Sequence, residues 1–174
     1  MPELIEPTTR LREQWLASYR EWPPGVHIDG AGLAATDDVE SPEGFAAWVA
    51  RLRRAEDRSI PPDAGWVHTT YRWITDGDRH LGAIALRHDL NDFLREVGGH
   101  IGYGVRPSER GRGHATFALA RTLDAARELG LGRVLITCRA QNIASARTIE
   151  RAGGVLEDVR DTDLGAIRRY WIEL

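Results

Sequence analysis

The sequence predicts a single α/β domain of the mixed α+β kind, and three observations carry that expectation. The chain has 174 residues, a length that suits one domain with one core. Near residue 66 the spacing of apolar residues changes from helical to alternating. In the middle of the remaining sequence a strand, a helix and a strand follow one another, the unit that joins two parallel strands.

The first 60 residues read as mainly helical. Thr8 or Thr9 can cap a helix carrying Leu11, Trp15, Leu16 and Tyr19, ended near Pro23-Pro24-Gly25. Residues 28–40 are rich in Gly, Ala and Asp and read as loop. Ser41-Pro42-Glu43 opens a second helix, with serine as N-cap and proline in the first turn. Phe45, Trp48, Val49 and Leu52 follow at helical spacing. Two strands come next, over 67–74 and 81–87, joined by a turn at Asp76-Gly77-Asp78. A loop with Asn91, Phe93 and Glu96 leads to a third strand over 100–105. There, in GGHIGYGV, glycine marks a bulge or the close approach of another backbone or a ligand. A helix over 113–128 puts Leu119, Leu123 and Ala126 on its core face and stops at Gly130. Residues 133–138 form a short apolar strand. Asn142 caps a helix that ends at Gly153-Gly154, and 155–160 with 167–174 close the chain as a strand pair.

Composition removes several function classes. Apolar residues make up 42% and charged residues 28%, as in a water-soluble globular protein. The net charge is -3 with no long run of one sign, which argues against nucleic-acid binding. No stretch approaches the ~20 apolar residues of a membrane span. The start, MPELIEPTTRLREQW, has acidic residues and no apolar core of a secretion signal, so a cytoplasmic location is expected. The single Cys138 excludes an internal disulfide, and as part of an apolar strand it reads as core rather than nucleophile. All 23 basic residues are arginine. Without lysine, neither a Schiff-base mechanism nor a Walker-type phosphate loop exists here. The histidines His27, His68, His80, His88 and His114 show no metal-ligand spacing, and no metal is expected.

The strongest local signal runs from Val105 to Thr116, VRPSERGRGHAT. A strand ends, and a turn built on Gly111 and Gly113 opens a helix. The first amides of a helix have no internal partner and point outward with the positive end of the helix dipole behind them. Glycine removes the Cβ that would keep a phosphate from the backbone, and Arg110 and Arg112 add positive charge at the rim. The segment is an anion site suited to a diphosphate. A dinucleotide fingerprint fits less well, because Thr116 stands where a third small residue belongs.

Arg110-x-x-Gly113-x-Ala115 resembles the pyrophosphate motif of the GNAT superfamily of N-acetyltransferases, R/Q-x-x-G-x-G/A. Val105-x-Pro107 before it and Asn142-Ile-Ala-Ser145 after it are similar to that superfamily too, as is the order of elements. The segments GGHIGYGVRPSERGRGHA, ITCRAQNIASARTIERAGGVLE and RYWIEL resemble a bacterial subgroup of predicted acetyltransferases. The resemblance covers roughly residues 66–174.

The resemblance implies a GNAT-like domain over 1–174, with a mixed, mostly antiparallel sheet, a splayed parallel strand pair and flanking helices. It implies acetyl-CoA as donor and an amine on a small molecule or peptide as acceptor, with direct transfer between them. The amides of Arg110, Gly111, Arg112, Gly113, His114, Ala115 and Thr116 would hold the pyrophosphate. The backbone of Tyr103, Gly104 and Val105 would bind the pantetheine arm, which Asn142 would reach; Asn142 is also a helix cap. Ser145 would touch the cofactor or steady its helix. Many members carry a tyrosine seven residues after the asparagine to protonate the departing thiolate; here that residue is Ile149. A thiol of pKa ~8.5 can also leave as thiolate.

An alkylammonium of pKa ~10.4 must lose a proton before it attacks, so a base is sought. His100, at the start of the central strand, is the first candidate, and a hydrogen-bonded structural histidine is the alternative. Glu96, Asp89 and Glu157 come after it. Tyr103 lines the acyl pocket or packs. Residues 1–65 would form the acceptor wall and 66–174 the cofactor-binding core; five of the six tryptophans lie before residue 74. A homodimer is left open. The competing reading is a non-catalytic acyl-CoA sensor, which Ile149 favours.

Overall fold

In the computed structural model, which describes residues 1–174, seven strands form one sheet. In chain order they are β1 (Glu3–Ile5), β2 (Thr69–Asp76), β3 (Arg79–Arg87), β4 (Ile101–Val105), β5 (Arg133–Arg139), β6 (Val155–Thr162) and β7 (Gly165–Glu173). In space the order is β1-β2-β3-β4-β5-β7-β6, and every neighbouring pair is antiparallel except β4 with β5. The helices are α1 (Arg12–Tyr19), α2 (Pro42–Arg54), α3 (His114–Glu128) and α4 (Ile143–Arg151). The expected strand–helix–strand unit is β4-α3-β5.

The N-terminal third departs from expectation. It opens with β1, three residues paired from Glu3↔Thr75 to Ile5↔Trp73. A strand this short, between Pro2 and Pro7, carries no readable alternation. The helices there are only 8 and 13 residues long, so the region is not mainly helical. Thr8 caps a 3-10 turn that leads into α1, and α1 ends at Tyr19, short of the prolines. Ser41 caps α2 as expected, its hydroxyl accepting from the Gly44 amide at 3.1 Å. The loop expected after β3 winds into one π-helical turn, Leu94–Gly98.

Two cores flank the sheet. On one face α3 and α4 bury Leu119, Leu123, Ala126 and Ile149 against Ile84, Ile101, Ile136 and Tyr170. On the other, α1 and α2 set Trp15, Phe45 and Trp48 against Tyr71 and Trp73. Four of these five rings, those of Trp15, Phe45, Trp48 and Trp73, meet at 4.6–6.3 Å between centroids, at angles that suit aromatic quadrupoles. Trp15, Trp48 and Trp73 are therefore packing residues; of the early tryptophans only Trp22 and Trp66 reach the surface.

Strand β4 stands between these cores. Ile101, Tyr103 and Val105 point to the α3/α4 side. The intervening glycines face a loop from the α1 side: a Cβ on Gly104 would lie 3.0 Å from the Asp29 carbonyl and 3.4 Å from the Trp22 ring. The glycines of this strand answer to close approach by another segment of the chain itself.

Candidate active site

Only one residue pair, Ile101↔Ile136, joins β4 to β5. Beyond it β4 pairs on one side alone, with β3, and the two parallel strands diverge. The result is a V closed at His100 and open towards Val105.

At the open end stands the N-terminus of α3. Gly113 takes φ +84°, a left-handed conformation that a Cβ would strain. No side chain caps this helix, and its first internal bond runs from Phe117 to the Gly113 carbonyl at 3.0 Å. The amides of His114, Ala115 and Thr116 are thus left without a helical acceptor. Gly111 and Gly113 have open space where a Cβ would stand, so an anion can approach the backbone.

The cations of this loop are not all free. Arg112 lies 3.3 Å from Glu109, whose carboxylate is buried and also pairs with Arg79 and sits 3.7 Å from His114. Arg110 donates from Nε to the Val105 carbonyl and places its guanidinium 4.8 Å from the centroid of Trp22. Arg106 reaches Glu21 at 2.6 Å, and Ser108 gives Glu21 both its amide, at 3.0 Å, and its hydroxyl, at 3.1 Å. Burial works to raise the Glu21 pKa, but the two Ser108 donors and Arg106 outweigh it and hold the carboxylate ionised below its ordinary value. The segment after α1 is therefore fastened to the loop before α3. Glu21, Trp22 and Glu109 escaped the sequence reading, because partners up to 87 positions apart leave no local pattern.

Tyr103 and Ser145 meet across the gap between β4 and α4, with 2.9 Å between hydroxyl oxygens. Burial pushes the Tyr103 hydroxyl up to about 12, so it stays protonated. Asn142 accepts from the Ser145 amide at 3.1 Å, which makes it the cap of α4. Cys138 is buried, and burial raises its thiol pKa, the reverse of what activates a nucleophile. Ile149 is fully buried in the α3/α4 core.

His100 lies apart from this group, roughly 16 Å from Val105 along the strand at ~3.3 Å per residue. Its Nδ1 accepts from the Leu135 amide at 2.9 Å while its own amide donates to the Leu135 carbonyl at 2.7 Å. The proton then resides on Nε2, and the neutral ring has no spare lone pair. The expected role as base does not fit this geometry; His100 ties the closed end of the V. The other candidates are no better placed: Glu96 and Glu157 are each 2.5 Å from an arginine, Arg160 and Arg169, and Asp89 is exposed in the loop after β3.

Burial pushes His100 down to about 4 and His80 down to about 3. An unfolded histidine titrates near ~6.5. As pH falls below that value the unfolded chain takes up protons that these two folded rings refuse, so stability is lost between roughly pH 6.5 and 4. Urea midpoints should drop through this window, before carboxylate titration dominates. Midpoints that stay flat from pH 6.5 to 4.5 would show that both rings protonate freely in the fold.

The sequence matches the family model described as Acetyltransferase (GNAT) domain over residues 16–155. The chain belongs to this family; it is an acyltransferase whose donor is acetyl-CoA. Solved structures share its fold. The microcin C7 self-immunity acetyltransferase MccE, in complex with acetyl-CoA and AMP, is 15% identical with a TM-score of 0.70, over 99% of this chain and 92% of that one. RimL, a ribosomal L7/L12 α-N-protein acetyltransferase in complex with coenzyme A, is 16% identical with a TM-score of 0.71, over 99% and 94%. An acetyltransferase from Salmonella typhimurium that modifies the N-terminal serine of the 50S protein L7/L12 is 17% identical with a TM-score of 0.69, over 99% and 95%. At these identities the likeness is one of fold. No curated protein sequence matches the chain. No helix is long and apolar enough to cross a membrane.

Proposed function

We propose that this chain moves the acetyl group of acetyl-CoA directly to a primary amine, with the cofactor lying in the V between β4 and β5. The observation that supports this most is the uncapped N-terminus of α3 at the open end of the V. The amides from Arg110 to Thr116 hold the pyrophosphate, with Arg110 and the exposed part of Arg112 beside it. The pantetheine arm runs along Tyr103, Gly104 and Val105 towards Ser145, and the outer amide group of Asn142 is free to meet it.

Transfer is direct because no activated nucleophile is at hand: Cys138 has a raised pKa and lysine is absent. His100 positions rather than reacts, fixing where β4 and β5 part. Tyr103 faces the departing sulfur. With a pKa of about 12 it cannot surrender its proton to a thiolate of ~8.5, so it stabilises the thiolate by donating a hydrogen bond, and water completes the protonation. Water, and not Tyr103, thus supplies the proton that a tyrosine in place of Ile149 would give.

Residues 1–65 form the acceptor wall. The acceptor is an amine on a small molecule or at a peptide N-terminus. RimL and the Salmonella enzyme act on a ribosomal protein, which makes a peptide the leading class. Bacterial neighbours and the absence of a membrane-crossing helix support a place in the bacterial cytoplasm. The sensor reading rested on Ile149, which supplies no acid; the family match favours turnover over it. Release of free thiol from acetyl-CoA, measured with a panel of amines and free-N-terminus peptides, tests the proposal. Tight cofactor binding without acetylation of any amine would favour the sensor.

A further inference from the structure

Acetyl transfer to an amine calls for a base, and His100 is not free to be one, because Leu135 engages its lone pair. The segment after α1 holds a pair that can. Residues 28–30 lie flat against the α1/α2 face of β4. A Cβ on Gly104 would stand 3.0 Å from the Asp29 carbonyl, and one on Gly30 would stand 2.5 Å from the Gly102 carbonyl. Ile28 and Gly30 are buried there, while His27 and Asp29, at the alternate positions, are exposed. His27 Nε2 lies 3.3 Å from Asp29 Oδ1, with the two side chains 69% and 66% exposed, so an acceptor can reach them.

This pair stands over the mouth of the V. The Asp29 charge is felt by Tyr103 on β4 and Cys138 on β5, the two parting strands, and by Arg87 at the end of β3. His27 is felt in turn by Arg87 and by Arg139, the last residue of β5. Such effects fade beyond roughly 10 Å in salt, so both side chains are neighbours of the open strands. Of the six histidines, His27 alone combines an open ring with a carboxylate this close; His114 is 14% exposed and 3.7 Å from its own.

A carboxylate on one ring nitrogen fixes the tautomer. Asp29 accepts the Nε2 proton, which leaves the lone pair on Nδ1. An amine that arrives neutral still carries a surplus proton once its nitrogen has bonded to the acetyl carbon, and that proton needs an acceptor before the amide can form.

We propose that His27 is the general base that takes this proton at Nδ1, and that Asp29 is its positioning residue. The proposal rests on the acetyl-transfer reading and assigns that reaction a base. As the N–C bond forms, the carbonyl π pair moves to oxygen and the N–H proton passes to Nδ1. The carbonyl then re-forms, the C–S bond breaks and the thiolate leaves with its electron pair. His27 releases its proton to water. The hydrogen bond and charge of Asp29 hold the His27 pKa above the ordinary value, against burial and the like charges of Arg87 and Arg139. Only the neutral ring can act, so the rate falls on the acid side of that pKa.

The test uses n-butylamine and a tripeptide with a free N-terminus as acceptors, across pH. His27→Ala should lower kcat about 100-fold and leave the acetyl-CoA-induced rise in melting temperature unchanged. Added imidazole should restore part of the rate. Asp29→Asn removes a charge that favours imidazolium and should move the acid limb of the pH–rate profile to lower pH. Arg139→Gln removes a charge that opposes it and should move the limb to higher pH. In each protein the ring resonances of His27 should titrate where the limb falls. A folded His27→Ala with full rate, or a limb that stays while the His27 resonances shift, overturns the proposal. Loss of the acetyl-CoA-induced shift in His27→Ala would make the residue a structural prop and overturn it equally. If wild type binds acetyl-CoA but acetylates no amine, acetyl transfer itself is refuted, and the base falls with it.

Discussion

Gly113→Asp should abolish stabilisation by acetyl-CoA while leaving the free protein folded. A ligand present at roughly 100 times its Kd stabilises the native state by about 2.7 kcal/mol. For a domain of this size that is a rise of about 5–11 °C in melting temperature. Aspartate at this position has two effects. It strains a backbone held at φ +84°, and it places a carboxylate where α3 lacks a cap. Aspartate is a preferred N-cap, so the carboxylate bonds the amides meant for phosphate, and the cap offsets part of the strain. Gly113→Ala separates the terms: it has the strain without the carboxylate and should keep a reduced shift. A normal shift in a folded Gly113→Asp would place the pyrophosphate elsewhere.

Tyr103→Phe should lower kcat by roughly 10- to 100-fold, the worth of one hydrogen bond to a charged partner. Affinity for coenzyme A should change little, because the pantetheine contacts on this strand are backbone contacts. Since Tyr103 stays protonated up to about pH 12, its loss should scale the whole pH–rate profile down without moving its limbs. Ser145→Ala frees the hydroxyl from its partner at 2.9 Å and should have a smaller effect of the same kind. A profile whose alkaline limb disappears in Tyr103→Phe would mean that the tyrosine exchanges its proton within the working range. An unchanged kcat would return it to packing.

What was legible in the sequence was what depends on near neighbours. Ser41 and Pro42 announced α2 because a cap and a fixed φ act within one turn. The loop before α3 was readable for the same reason: glycines at positive φ and unmet amides lie within six residues. Strand β1 was hidden by its shortness. His100 was misread because its role turns on which ring nitrogen meets Leu135, a partner 35 positions away. His80 was noted only for lacking metal-ligand spacing, since its distinction is the absence of partners, and no sequence displays that. The glycines of β4 were correctly read as a place of close approach, but whether the visitor was ligand or chain required the path of residues 22–30.

The tie between Glu21 and the loop before α3 joins the cofactor loop to the segment that follows α1. Trp22 stands between two parts of the site: its ring faces the Arg110 guanidinium, and it lies where a Cβ on Gly104 of the central strand would meet it. A phosphate that draws Arg110 away from the indole changes what holds that ring beside the central strand. Thermodynamic linkage makes any such effect mutual, so a change in what steadies the ring beside β4 would alter the grip on the pyrophosphate by the same factor.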